Sequence, residues 1–241
     1  MRIRSAKTWL IFVVSWTWGH SVGMTPVNAQ SQPGDNLPMY GQPGIVRTDD
    51  LKKADAAFAR QSTTKYGSPG AASRVWAGQG WSSMRDGKPD LALEQFNRAW
   101  LLNSKNYQVF WGFGAVLSEQ GKLEAAVEQL SVASQLIDEP AQKAALLSDL
   151  GSVYSELAAR LPEDKQLDRA QYFVSANQRF AESLEIDPNY APSWKEWAVS
   201  LYRQERYSEA WIKAKRATEL KAEPFPANFL KDLERKTSQA K

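Results

Sequence analysis

A spacing of 34 residues recurs through the middle of this 241-residue chain and constrains its fold more than any other feature. Four small residues have small counterparts 34 positions further on: Gly80 and Gly114, Gly87 and Gly121, Ala92 and Ala126, Ala99 and Ala133. A fixed period of roughly 20–50 residues is typical of chains in which one supersecondary unit stacks on copies of itself. We therefore interpret the chain first as a repeat array.

Each unit of the array reads as a helix, a turn and a second helix. Gly121 suits the left-handed backbone that often follows a helix. Pro89 suits the first position of a helix, because its missing N–H group would have no partner there. The apolar residues after Gly121 follow the spacing of one helical face: Leu123, Ala126, Val127, Leu130 and Ala133.

The segment YQVFWGFG, residues 107–114, could be a membrane segment, a phosphate-binding glycine loop or a helix that contains glycines. No apolar run of about 18 residues surrounds it, and Glu119 follows, so we exclude a membrane span. A phosphate loop would need a preceding strand and a third glycine. We expect a helix in which Gly114 lies where the two helices of one repeat touch, while Phe110 and Phe113 fill the core. Burial of each phenylalanine contributes about 1.5–3 kcal/mol, which exceeds the roughly 1 kcal/mol that a helical glycine costs.

These residues resemble the tetratricopeptide repeat, a 34-residue unit with large and small side chains at fixed positions. Residues 73–106 carry the pattern as Trp76, Gly80, Ala92, Phe96 and Ala99, and residues 107–140 carry it as Phe110, Gly114, Ala126, Leu130 and Ala133. Residues 191–224 carry a weaker version: Trp194, Ala198, Ala210, Ala214 and Ala217. The chain also looks like a small exported bacterial protein of this family.

The resemblance implies an all-α solenoid, a right-handed superhelix of about four helix-turn-helix repeats across residues 73–224. The third unit, residues 144–190, contains the 13-residue insertion AARLPEDKQLDRA, which we expect to lengthen its helices and their turn. A helix over residues 48–66, beginning at Thr48, is expected to cap the start of the array. An amphipathic helix and tail over residues 226–241 are expected to cap its end.

The first 29 residues have the layout of a secretory signal peptide. Arg2, Arg4 and Lys7 precede an apolar run over residues 8–18, and small residues end the segment at Ala29. We expect cleavage after Ala29 and a periplasmic or secreted protein without a membrane span, the alternative being a retained anchor. The following residues 30–47 contain three prolines and three glycines and are expected to form an extended or disordered lead-in.

Composition limits the chemistry that the chain can perform. Removal of the signal segment leaves 27 basic and 27 acidic side chains, so we expect no nucleic-acid partner. The chain has no cysteine, and its one histidine, His20, lies in the signal segment. We therefore expect no cofactor, no metal and no enzymatic activity. The alternative is a catalytic pair formed by Asp149 and Glu156, which seven positions of one helix would separate by about 10 Å, at the far edge for inverting hydrolysis.

The resemblance implies that the first helix of each repeat lines a concave groove. Residues carried over to this groove are Arg74, Gly78, Trp81 and Arg85, then Gln108, Trp111, Gly112 and Glu119, then Ser148, Asp149, Ser152 and Glu156, and finally Lys195, Glu196, Tyr202 and Arg203. Some relatives clamp a peptide carboxylate with Lys and Asn side chains. Here the corresponding positions hold Ala77, Trp81, Trp111 and Ala115, so we do not expect that clamp.

Two glycines and two tryptophans make the groove of the first two repeats distinctive. We hypothesise that Gly78 and Gly112 open a floor beside Trp81 and Trp111, on which an extended peptide or a sugar could lie. The alternative is that both indoles are packing residues and the glycines admit a neighbouring helix. The leading function is a scaffold for a protein or peptide partner in the cell envelope, and the alternative is a glycan or small-ligand binding protein that uses Trp81, Trp111 and Tyr202.

Overall fold

The computed structural model describes residues 48–239, which form ten α-helices and no strand. The predicted signal peptide and lead-in, residues 1–47, lie outside the described residues. The helices are α1 Asp49–Tyr66, α2 Pro69–Arg85, α3 Pro89–Leu102, α4 Tyr107–Glu119, α5 Leu123–Leu136, α6 Pro140–Arg160, α7 Gln166–Ile186, α8 Ala191–Arg203, α9 Tyr207–Glu219 and α10 Phe229–Gln239. None of these ten helices combines the length and the apolar character needed to cross a lipid bilayer.

The helices pack in sequential pairs, as the 34-residue period predicts. The pairs α2–α3, α4–α5, α6–α7 and α8–α9 are each in extensive contact, and each pair also contacts the next. Gly121 adopts a φ of 77° in the turn between α4 and α5, which is the left-handed conformation expected there. The expected all-α solenoid is confirmed.

Phe96 on α3 fills the space between the first helices of two consecutive repeats. Its ring is fully buried, and a Cβ atom added at Gly80 on α2 would lie 2.5 Å from it. An added Cβ at Gly112 on α4 would lie 2.3 Å from the same ring. Both positions therefore need glycine for the ring to fit.

Gly114 lies against the second helix of its own repeat. A Cβ atom added there would come within 2.6 Å of Leu130 and 3.3 Å of the carbonyl oxygen of Ala126. Phe113 is fully buried beside it, and Phe110 packs at the edge of the same core. Gly114 thus serves helix packing, as the sequence indicated.

The third repeat is longer than the others, because both its helices are extended. Helices α6 and α7 have 21 residues each, whereas α4 and α5 have 13 and 14. Helix α6 begins at Pro140 and α2 at Pro69, each four residues before the first position of its repeat pattern, since proline is well suited to a helix start. The insertion therefore produces a helical hairpin extension over residues 157–172, and not a long loop.

A helix flanks the repeats at each end. Thr48 caps the start of helix α1, and its hydroxyl accepts a hydrogen bond from the Leu51 N–H at 3.3 Å. Helix α1 packs on α2 through Phe58 and Trp76, with ring centroids 5.4 Å apart. Helix α10 packs on α9 and buries Leu233 completely. Each end of the array thus has an amphipathic helix over its last apolar surface.

Candidate functional site

The first helices α2, α4, α6 and α8 carry the residues that the sequence places in a groove, and we call their shared surface the first-helix face. On α2 the side chains of Arg74 and Arg85 are exposed, as is the backbone at Gly78. Trp81 lies between them and is half-buried. These four residues follow a spacing of four, three and four, which puts them on one stripe of α2.

An aromatic contact and a hydrogen bond connect the first three repeats across this face. The rings of Trp81 and Trp111 meet edge to face, with centroids 5.5 Å apart. The indole N–H of Trp111 donates to a carboxylate oxygen of Asp149 at 2.8 Å. Residues from α2, α4 and α6 are thus held in one connected row.

Acidic groups gather on the part of the face where α6 approaches α8, and we call them the acidic cluster. The pKa of Asp149 is raised to about 7, mainly by burial and also by the nearby carboxylate of Glu196, while the hydrogen bond from Trp111 acts in the opposite direction. Burial also raises the pKa of Tyr190, and the charges of Asp149, Asp187 and Glu196 add to this shift. This part of the face therefore disfavours further negative charge.

The structure corrects the expected floor of the groove at Gly112 and Trp111, where the alternative of packing residues holds. Gly112 is buried, and the ring of Phe96 covers the place where its side chain would be. Trp111 is only 7% exposed, and its N–H group is already bound to Asp149. At Gly78, by contrast, an added Cβ would meet no atom within 4 Å. The open part of the face therefore consists of Gly78 and Trp81, and ligand binding there remains a prediction.

Tyr202 is covered by the C-terminal helix. Its ring lies 5.2 Å from Phe229 and 5.5 Å from Tyr207, measured between centroids. Its hydroxyl donates a hydrogen bond to the Asp232 carboxylate, which raises the pKa of Tyr202. Because α10 engages both the ring and the hydroxyl, Tyr202 is part of the end cap rather than of an open groove.

Three of the other predicted residues have side-chain contacts with neighbouring residues. Ser152 donates to the carbonyl of Ser148 at 3.1 Å, Glu156 pairs with Arg160 at 2.5 Å, and Arg203 donates to the Ser155 hydroxyl at 3.2 Å. Ser148 is buried, Glu119 is exposed, and Gln108, Lys195 and Glu196 are half-buried. Asp149 and Glu156, the alternative catalytic pair, thus contact different partners.

Within residues 48–239 no group of three or more acidic or histidine side chains is arranged to hold a metal ion.

Tyr190 belongs to the acidic cluster, although the sequence did not single it out. It directly precedes α8, as Asn106 directly precedes α4. Asn106 caps its helix by accepting a hydrogen bond from the Gln108 N–H at 3.0 Å, whereas the side chain of Tyr190 makes no capping bond. A tyrosine at a position that favours capping residues is the signal by which it could have been found.

Comparisons with known proteins show the fold of the chain. No protein-family model matches it, and no curated protein matches it. Among solved structures it is similar to PilF of Pseudomonas aeruginosa, with a TM-score of 0.53 and 19% identity over 78% of this chain and 88% of that one. It also matches MamA, with a TM-score of 0.48 and 17% identity over 73% of this chain and 96% of that one. The likeness to PilF supports a tetratricopeptide-repeat fold, in agreement with the resemblance of the sequence.

Proposed function

We propose that this chain is an interaction scaffold that binds an extended segment of a partner protein along the first-helix face of its first two repeats. The observation that carries the proposal is that the Trp81 indole is fixed by its neighbours and is still partly exposed. Its indole is held by Phe96 and Trp111, each with ring centroids 5.5 Å away, and yet it stays partly exposed beside the bare backbone of Gly78. An aromatic side chain fixed in this way binds with little loss of entropy.

The charges along the face indicate which segment it would accept. Exposed Arg74 and Arg85 flank Trp81 and suit carboxylates, to which a guanidinium can bind through two hydrogen bonds. Farther along the face, Asp149 and Glu196 disfavour acidic groups. We therefore expect a segment with an apolar or aromatic residue at Trp81 and acidic residues beside it. Charges of both signs along one face would also fix the direction of the bound segment.

A photo-crosslinking side chain at position 78 tests the proposal in cells. This position is open, so the probe can be accommodated there without displacing core atoms. We expect the probe to capture a protein partner, and the capture to be lost when Arg74→Glu and Arg85→Glu are added or when Trp81→Ala is added. The two arginine substitutions are at exposed sites and leave the core intact. If Trp81→Ala unfolds the protein, the loss of capture in the arginine variant still tests the proposal.

A probe at Leu91 provides the matched control, because this side chain is exposed on α3, outside the first-helix face. Capture of the same partner with equal yield from positions 78 and 91 would contradict binding along the first-helix face. So would capture at position 78 that persists in the folded arginine variant.

Glycan binding is a second candidate, and the exposure of the Trp81 indole favours it. Of its three predicted aromatic residues, however, Trp111 is buried and Tyr202 is covered by α10. Titration with peptidoglycan fragments or oligosaccharides, followed by tryptophan fluorescence, tests this candidate. A change in emission that disappears in Trp81→Phe would favour a glycan ligand over a protein segment.

We also propose that the protein acts in the cell envelope or outside the cell. The basic start, the apolar run and the small residues before Gln30 support export. Fractionation of cells that express the full chain, with N-terminal sequencing, tests this. We expect mature protein that begins at Gln30 in the periplasm or medium, whereas a cytoplasmic protein that begins at residue 1 would refute it.

A further inference from the structure

Helix α7 exposes two large aliphatic side chains on one of its faces. Leu167 is 81% exposed and Val174 is 66% exposed, more than any other large hydrophobic residue among residues 48–239. They lie seven residues apart, so they are stacked about 10 Å apart along the helix. The opposite side of α7 is packed inside the protein, because Phe173, Ala176 and Phe180 are buried.

The exposed face of α7 has the spacing of a helix-pairing seam. Leu167, Gln171, Val174 and Gln178 are all exposed and follow intervals of four, three and four residues. This is the spacing with which one helix packs against another in a coiled coil. The occupant that fits such a stripe is therefore a helix, and its side facing α7 must be partly apolar.

The charges beside this seam are acidic. Asp168 is exposed next to Leu167, and Glu185 is exposed seven residues after Gln178, at the C-terminal end of the stripe. The two arginines of α7 are already engaged. Arg169 donates to the carbonyl of Leu161 at 2.6 Å, and Arg179 pairs with Glu182 at 2.8 Å. The segment that contains α7 is acidic as a whole, since residues 161–187 contain 6 acidic and 3 basic side chains.

We propose that this face of α7 docks a basic amphipathic helix of a partner protein, with apolar residues against Leu167 and Val174 and Lys or Arg beside Asp168 and Glu185. A second copy of this chain is a poor occupant, because its own α7 would bring the same carboxylates into contact. The site lies on a second helix of the array, so it is separate from the first-helix face and does not depend on the function proposed for it.

A synthetic helix of about three heptads tests the proposal, with Leu on its seam and Lys at the flanking positions. Its binding to the full chain is followed by fluorescence anisotropy, beside a matched peptide in which Glu replaces Lys. We expect the Lys peptide to bind, and its affinity to fall as the salt concentration is raised. The Glu peptide should not bind. Equal binding of both peptides, or no binding of either, would overturn the proposal.

Surface substitutions locate the binding site. Leu167→Gln combined with Val174→Gln, and separately Asp168→Lys combined with Glu185→Lys, should each weaken binding by about tenfold. Ile212→Gln is the matched control, because Ile212 is 62% exposed on α9, and it should leave binding unchanged. If Ile212→Gln weakened peptide binding as much as the α7 substitutions do, the proposal would be refuted. It would also be refuted if light scattering showed a wild-type dimer that the variant with Leu167→Gln and Val174→Gln no longer forms.

Discussion

Gly78 and Gly112 occupy the same repeat position 34 residues apart, and their surroundings are opposite. Gly78 faces open space, whereas a side chain at Gly112 would collide with Phe96. We expect Gly78→Ala to raise the free energy of unfolding by about 0.5–1 kcal/mol, because alanine is the better helix former. Gly112→Ala should lower it by about 1–3 kcal/mol through overpacking. Urea denaturation of the two variants measures both effects, and equal effects would contradict this account of Phe96.

Asp149 should make the stability of the protein depend on pH. Its pKa is raised from 3.8 to about 7, mainly by burial, so the folded state keeps a proton that the unfolded state has lost. The free energy of unfolding should therefore fall as pH rises from about 4 to about 7 and then level off. Asp149→Asn should remove this decline and stabilise the protein at neutral pH by about 1–4 kcal/mol, since each pKa unit corresponds to about 1.4 kcal/mol.

Denaturation at pH 5 and pH 8 measures the effect in both proteins. Asparagine can still accept the hydrogen bond from Trp111, so the substitution changes the charge without removing that contact. Glu196→Gln is the control for the neighbouring charge and should reduce the decline without abolishing it. If the free energy of unfolding of Asp149→Asn depended on pH as steeply as that of the wild type, Asp149 would not be the group responsible for the decline.

At the level of the element, the sequence predicted where helices pair but not what fills the space between them. The 34-residue period identified Gly80, Gly114 and their partners, because small side chains must recur wherever two helices touch. The sequence left two interpretations of Gly112 open, an open floor or a packing position, because the choice depends on the direction of one ring from another helix. The contact of Trp111 with Asp149 was missed for the same reason, as it joins side chains 38 positions apart.

The hairpin extension of the third repeat should behave as a local unit of stability. The rings of Tyr154 and Tyr172 stack near its base, with centroids 6.2 Å apart. Tyr172→Ala should remove about 0.5–1.5 kcal/mol of stacking and speed hydrogen exchange over residues 157–172. Exchange in α4 and α5 should stay unchanged, and Tyr172→Phe, which keeps the ring, should behave as the wild type. Faster exchange throughout the chain would mean that the extension is not a separate unit.

At the scale of the whole molecule, residues 48–239 contain two apolar clusters, and we expect these two clusters to unfold separately. One cluster runs from α2 to α6, and the other joins α8, α9 and α10 around Leu233. The stacked rings of Phe180 and Trp197, with centroids 6.2 Å apart, connect α7 to the second cluster. In a repeat array each unit is stabilised by its neighbours alone, so a defect at one end should stay near that end.

Leu233→Ala tests this division, because Leu233 is fully buried where α10 closes the array. Removing this side chain should destabilise the second cluster by about 2–5 kcal/mol. We expect hydrogen exchange to accelerate in α8, α9 and α10, while α4 and α5 keep their protection because Phe96 and Leu130 still fill the first cluster. Phe96→Ala is the matched change in the first cluster. It should accelerate hydrogen exchange in α4 and α5 and leave α8, α9 and α10 protected. If both variants instead lowered protection evenly along the chain, the two clusters would unfold as one cooperative core, and the helices would form a single bundle in energetic terms rather than a stack.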